Sequence, residues 1–179
     1  MRLTLRLSAT TIAAVALLLS LVACGTAGEA APEKICGTPI SPGLSSPLLR
    51  PHGKIVEGNL LEQPRPGVIP CEVLVDGKRA LTFRFGFHDG PRGDLLDYAR
   101  KSTVVGLTEP TQVNLGFEDS VLGNNGAAAT AACKTKGGDH FTLMMKVDRA
   151  NVLKQDLRPH IEAFMRAYMA AALKTFGCG

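Results

Sequence analysis

The chain has 179 residues, of which 45% are hydrophobic, with a formal net charge of +4. This length accommodates one domain with a sizeable core, and the charge is too small to argue for nucleic acid as a partner. The acidic and basic residues number 16 and 20, so neither a polyanionic nor a polycationic tail dominates the composition.

In chain order, Arg2 and Arg6 supply a positive start, and an uncharged apolar run follows from Leu7. Its length suits an export signal. A membrane-spanning helix needs roughly 20 apolar residues and a charged flank, whereas this run passes into Gly25-Thr26-Ala27-Gly28, a poor helix. The end of the run, Leu21-Val22-Ala23-Cys24, resembles the lipobox of bacterial lipoproteins. The resemblance implies a diacylglyceryl group on the Cys24 thiol and cleavage between Ala23 and Cys24. The partner it implies is a membrane, reached through the lipid anchor on the extracytoplasmic side. Two acyl chains hold a protein durably, at about 0.8 kcal/mol per buried methylene, where one chain does so only marginally. The expected organisation is a signal peptide over 1–23, a lipidated cysteine and flexible tether over 24–35, and a single extracytoplasmic domain over 36–179. The first 23 residues hold two of the 20 basic residues and none of the acidic ones, so the remaining 156 carry a net +2.

Apart from Cys24, four of the five cysteines remain, Cys36, Cys71, Cys133 and Cys178. None forms a Cys-x-x-Cys pair, so no zinc ribbon or thioredoxin-like site is indicated, and an even set in an exported chain reads as two disulfides. Three connectivities are open. Cys71 and Cys133 both fall in predicted strands of one sheet, and Cys36 and Cys178 bracket the domain, so the expected bridges are Cys71–Cys133 and Cys36–Cys178.

Eight of the eleven prolines lie between Pro32 and Pro70, which predicts an irregular wrapping segment with a short strand near Lys54 to Glu57. From Cys71 the pattern becomes periodic. Cys71, Val73 and Val75 alternate with polar or outward residues, Asp76-Gly77-Lys78-Arg79 turns the chain, and Leu81, Phe83, Phe85 and Phe87 continue one apolar face of a hairpin. Asp94 is a predicted helix cap, and Leu95, Leu96, Tyr98 and Ala99 supply the buried side of a helix to about Ser102. Further strands are predicted at Gln112 to Leu115, at Ala127 to Lys134, and along Phe141, Leu143, Met145 and Val147, with turns at Gly123–Gly126 and Gly137-Gly138. Asp156 and Pro159 open a last helix whose stripe is Ile161, Phe164, Met165, Tyr168 and Ala172, ending before Gly177. The fold class is α+β, a mainly antiparallel sheet with a mid-chain helix and a C-terminal helix packed on one face.

Over roughly residues 36 to 178 the order of features is similar to that of small actinobacterial cysteine-containing lipoproteins of unknown function. The shared marks are an early cysteine, a cysteine opening a hairpin strand, the segment Val113-Asn114-Leu115-Gly116-Phe117-Glu118-Asp119, a strand with Cys133 and a C-terminal helix. Members often carry Trp where this chain has Val73. The resemblance implies a fold and a location, and no reaction or cofactor.

Catalytic motifs are absent from the sequence. The five serines after the signal (Ser41, Ser45, Ser46, Ser102 and Ser120) lie in no G-x-S-x-G elbow or S-x-x-K pair, and no H-E-x-x-H, P-loop or G-x-G-x-x-G occurs. His88 with Asp89, and Asp139 with His140, flank predicted strand ends and form the one candidate polar site. The expectation is a membrane-tethered, non-catalytic binding or interaction module of the cell envelope, with no cofactor or metal. Its partner would be an envelope protein or a cell-wall polymer. The alternatives are a small envelope hydrolase or metal-dependent enzyme built on His88 and His140, and a carrier holding an apolar ligand among Phe83, Phe85, Met145 and Phe164. Lys134, Lys136 and Lys146, with Lys78, Arg79 and Arg84, read as solvated hairpin faces rather than a polymer-binding patch.

Overall fold

A computed structural model of the chain describes residues 31–49, 53–58, 67–102, 106–148 and 156–178. The signal run, Cys24 and most of the expected tether lie outside the described residues. The wrapping segment begins with a two-stranded ribbon, β1 (Lys34–Ile35) and β2 (Thr38–Pro39), followed by a one-turn helix α1 (Pro42–Ser45) and a 3₁₀ turn. Cys36 and Gly37 make the ribbon's turn at φ 48° and 80°, and a glycine at the second position relieves the left-handed strain there.

Seven strands form one antiparallel sheet: β3 (Ile55–Gly58), β4 (Val68–Val75), β5 (Lys78–His88), β6 (Thr111–Gln112), β7 (Asp119–Gly123), β8 (Gly126–Thr135) and β9 (Gly138–Val147). Their order across the sheet is β3-β4-β5-β9-β8-β7-β6. The predicted hairpin is β4–β5, paired from Val68 with Gly86 to Val75 with Lys78. The strand expected at Gln112 to Leu115 is displaced to Thr111–Gln112, and Asp119–Gly123, where no strand was expected, is a strand paired with β8.

Period-two alternation sorts the side chains onto two faces. Val73, Phe83, Phe85, Leu143, Met145, Ala127 and Ala129 point to one side, where they form the main core with the C-terminal helix α3 (Arg158–Thr175). Ile161, Phe164, Met165, Tyr168, Met169 and Ala172 of α3 are fully buried there. Each isoleucine, phenylalanine or methionine among them is worth about 1.5–3 kcal/mol of burial. Val121, Ala128 and Met144 point to the opposite side and pack with Leu95, Ala99 and Leu107. The fold is the expected α+β arrangement of antiparallel sheet, mid-chain helix and C-terminal helix, with the mid-chain helix α2 (Leu95–Lys101) across the sheet from α3. Alanines on both sides of β8 let a helix approach from either face. Asp94 caps α2 as expected, accepting from the Asp97 N–H at 2.9 Å.

The disulfide pairing is also corrected. The bridges are Cys36–Cys71 and Cys133–Cys178, with Cα separations of 6.1 and 4.4 Å. Cys71 on β4 and Cys133 on β8 do face the same side, but β5 and β9 lie between their strands. Three strand spacings amount to about 14 Å, twice the reach of a disulfide. The turn of the wrapping ribbon lies instead against β4, and the end of α3 lies over β8.

Candidate functional site

The end of β5 lies beside the start of β9, His88 being the register partner of His140. Their rings stack with centroids 5.9 Å apart and an 18° angle between planes, so the two histidines of the candidate polar site lie side by side. They do not bond to each other. His88 Nδ1 lies 2.9 Å from the Gly90 carbonyl oxygen, which can only accept, so that nitrogen carries the proton. Nε2 is then left to accept from the Thr142 hydroxyl at 2.8 Å, and Thr142 in turn lies 2.8 Å from the Thr130 hydroxyl. The result is a chain from Thr130 through Thr142 and His88 to the Gly90 carbonyl.

His140 occupies a different setting. Its Nδ1 donates to Asp139 Oδ1 at 2.6 Å, and its Nε2 is 3.4 Å from Glu118 Oε2. The same Asp139 oxygen accepts from the Gly90 N–H at 2.6 Å, clipping the loop after β5 to the start of β9. The bond from His140, reinforced by the Gly90 N–H, holds the Asp139 carboxyl below its ordinary value. Burial lowers the His88 pKa, aided by the charges of Arg92 and His140 and opposed by the Gly90 carbonyl and Asp139. Among the described residues no hydrogen bond or ion pair joins Asp89 to this group. Arg92 stacks over the Tyr98 ring at 4.4 Å.

A hydroxyl hydrogen-bonded to an imidazole is the bonding pattern of a nucleophile and its base. Here, however, Thr142 and Thr130 are each 3% exposed, enclosed on the α2 side of the sheet. No substrate reaches that hydroxyl without opening the sheet face. The network instead satisfies buried polar groups, the usual role of such chains.

The open concavity is on the other face, beyond the end of α3. It has a volume of about 320 Å³ and is lined by Cys36, Gly37, Glu57, Gly58, Ile69, Cys71, Phe85 and Phe176. That size is at the lower end for small-molecule sites. Its walls come from the ribbon turn, the edge strand β3 with its neighbour β4, β5 and the cap of α3. Phe176 packs on Phe85, Phe87 and Phe141 with centroids 5.4 to 5.5 Å apart. One disulfide fixes the ribbon turn to β4, and the other fixes the residues after Phe176 to β8. The Cys36 and Cys71 sulfurs lie within 4.8 Å of a Glu57 carboxylate oxygen, yet bonded to each other they offer no thiolate to a metal. Comparison with protein-family models, curated proteins and solved structures returns no match.

The sequence pointed to none of this cavity except Phe85 and the two cysteines, because its lining is drawn from five separate stretches. The interior proposed for an apolar ligand is filled by its own side chains. Phe83, Phe85, Met145 and Phe164 are at most 1% exposed, with Phe83 against Phe85 at 6.0 Å and against Phe164 at 6.2 Å. The basic residues do not form one patch either. Lys134 and Lys136 flank the β8–β9 turn beyond His140, whereas Lys146 and Lys78 are near the opposite ends of β9 and β5, about 20 Å along the strands. Arg79 is paired with Glu72 at 2.6 Å.

The two disulfides assign the domain to an oxidising, extracytoplasmic compartment. Among the described residues no helix is long and apolar enough to cross a membrane.

Proposed function

We propose that the protein is a lipid-anchored extracytoplasmic lipoprotein, tethered through Cys24, whose domain is a non-catalytic binding module of the cell envelope. The observation that carries this reading is a contrast between the two faces. The Thr142 hydroxyl of the hydroxyl–imidazole pair is buried and both groups are internally satisfied, while the open cavity is lined by no hydroxyl, imidazole or amine and its cysteines are bridged. A concave site without a nucleophile suits recognition rather than turnover. The tether supports the same reading, since it holds such a site near the membrane, where an envelope protein, a cell-wall polymer or a small solute would meet it.

Fractionation of cells expressing the wild type and Cys24→Ser tests the tether. The wild type is expected in the membrane fraction and resistant to high salt, because acyl chains rather than charge hold it; Cys24→Ser is expected to leave that fraction. An unchanged distribution of the variant would contradict the anchor.

A further inference from the structure

We propose that the cavity between the Cys36–Cys71 bridge and Phe176 binds a small amphipathic cation, an apolar body carrying an ammonium or guanidinium group. This deepens the binding-module reading and rests on it.

The lining divides into two chemistries. Ile69, Phe85, Phe176 and the Cys36–Cys71 bridge give an apolar floor and walls, and Glu57 is the one charged residue among the lining. Register parity explains why Glu57 faces the cavity. It pairs with Val73 of β4, whose side chain is in the α3-side core, so Glu57 and Ile69 project from adjacent strands to the same side as Phe85. Among the described residues no cation pairs with Glu57. Ile69 is 41% exposed, one of two large hydrophobics that the described surface leaves so open. An apolar group seated against it would remove that surface from water. A cation on the same molecule would meet both the Glu57 carboxylate and the Phe176 ring, and cations are attracted to ring faces as well as to carboxylates. An anion would meet repulsion, and a neutral isostere would gain only the apolar part. The two disulfides hold opposite walls in place, so little ordering is required on binding.

The test uses three probes that share one phenylethyl body: phenethylammonium, the neutral 2-phenylethanol and the anionic 3-phenylpropanoate. Each is titrated into the exported protein with its disulfides intact, and shifts of the Ile69 methyl and Phe176 ring resonances report occupancy. Phenethylammonium should bind about five- to tenfold more tightly than phenylethanol, and phenylpropanoate least. Glu57→Gln should weaken the cation about three- to fivefold and leave the alcohol unchanged. Ile69→Trp, at a half-open surface position that tolerates bulk, should fill the cavity and weaken both. Equal binding of cation and alcohol, or a cation affinity indifferent to Glu57→Gln, would overturn the proposed charge preference while leaving a binding module in place. Absence of binding by all three at millimolar concentration would overturn the cavity as a ligand site, and the Cys24 fractionation would still report on the tether independently.

Discussion

Thr142 shows how one buried hydroxyl can serve two neighbours: with the His88 proton fixed on Nδ1 by the Gly90 carbonyl, it donates to His88 Nε2 and accepts from Thr130. Thr142→Val keeps the shape but leaves His88 Nε2 without a donor and the Thr130 hydroxyl without an acceptor. The expected cost is about 1–3 kcal/mol in denaturant-induced unfolding. His88 also makes stability depend on pH. Its folded pKa lies below the ordinary 6.5, so just below that pH the unfolded chain binds a proton that the folded chain resists. Stability therefore falls as pH drops through the window below about 6.5, and the loss is complete below the folded value. Asp139, lowered from 3.8, adds a second window: its contribution is full above that pH and disappears as pH falls through its lowered value. Melting temperature followed from pH 7.5 downwards should fall in two stages. His88→Gln should flatten the first and leave the second; a single stage unaffected by His88→Gln would contradict the assignment.

At the scale of elements, what the sequence made legible was parity and what it hid was neighbourhood. Phe83, Phe85, Leu143 and Met145 alternate so regularly that their shared face is evident, and Asp94 announces its helix. Which strands lie side by side depends on pairings between β5 and β9, some sixty residues apart. Without them, Cys71 and Cys133 look like neighbours. β7 escaped notice because it opens with acidic and polar residues beside a loop, and the ribbon turn at Cys36-Gly37 because the surrounding prolines suggest irregular chain. The side chosen by α2 was equally hidden, since an all-alanine stretch from Ala127 to Ala129 offers both faces alike. Two predictions follow from the arrangement actually adopted. A Cβ at Gly126 would strike the Met145 carbonyl of β9, so Gly126→Ala should cost about 1–3 kcal/mol by forcing apart the central pair. Replacing Cys133 and Cys178 together by alanine releases a 45-residue loop, worth about 4 kcal/mol in the chain-entropy model. Guanidinium unfolding checks both, and the double alanine variant should also free Phe176 from its aromatic neighbours.

The whole molecule, as proposed, is a lipid-anchored chain carrying a disulfide-fastened sheet whose open cavity lies beyond the end of α3. Under the proposed function the parts accompany one another for physical reasons: export permits the disulfides, the disulfides hold the cavity walls, and a lipid tether would keep the cavity near its ligand. The candidate site was the least legible feature, because Cys36, Glu57, Ile69, Phe85 and Phe176 share no local pattern and meet only through the strand order and the corrected bridges. The central claim is the lipid-anchored, doubly bridged domain, and intact-mass and non-reducing peptide analysis of the protein extracted from membranes tests it most directly. The account predicts a chain beginning at a diacylglyceryl-modified Cys24, with Cys36 linked to Cys71 and Cys133 to Cys178. A chain still beginning at Met1, or one cut as an ordinary secreted protein with a free Cys24 thiol, would contradict it.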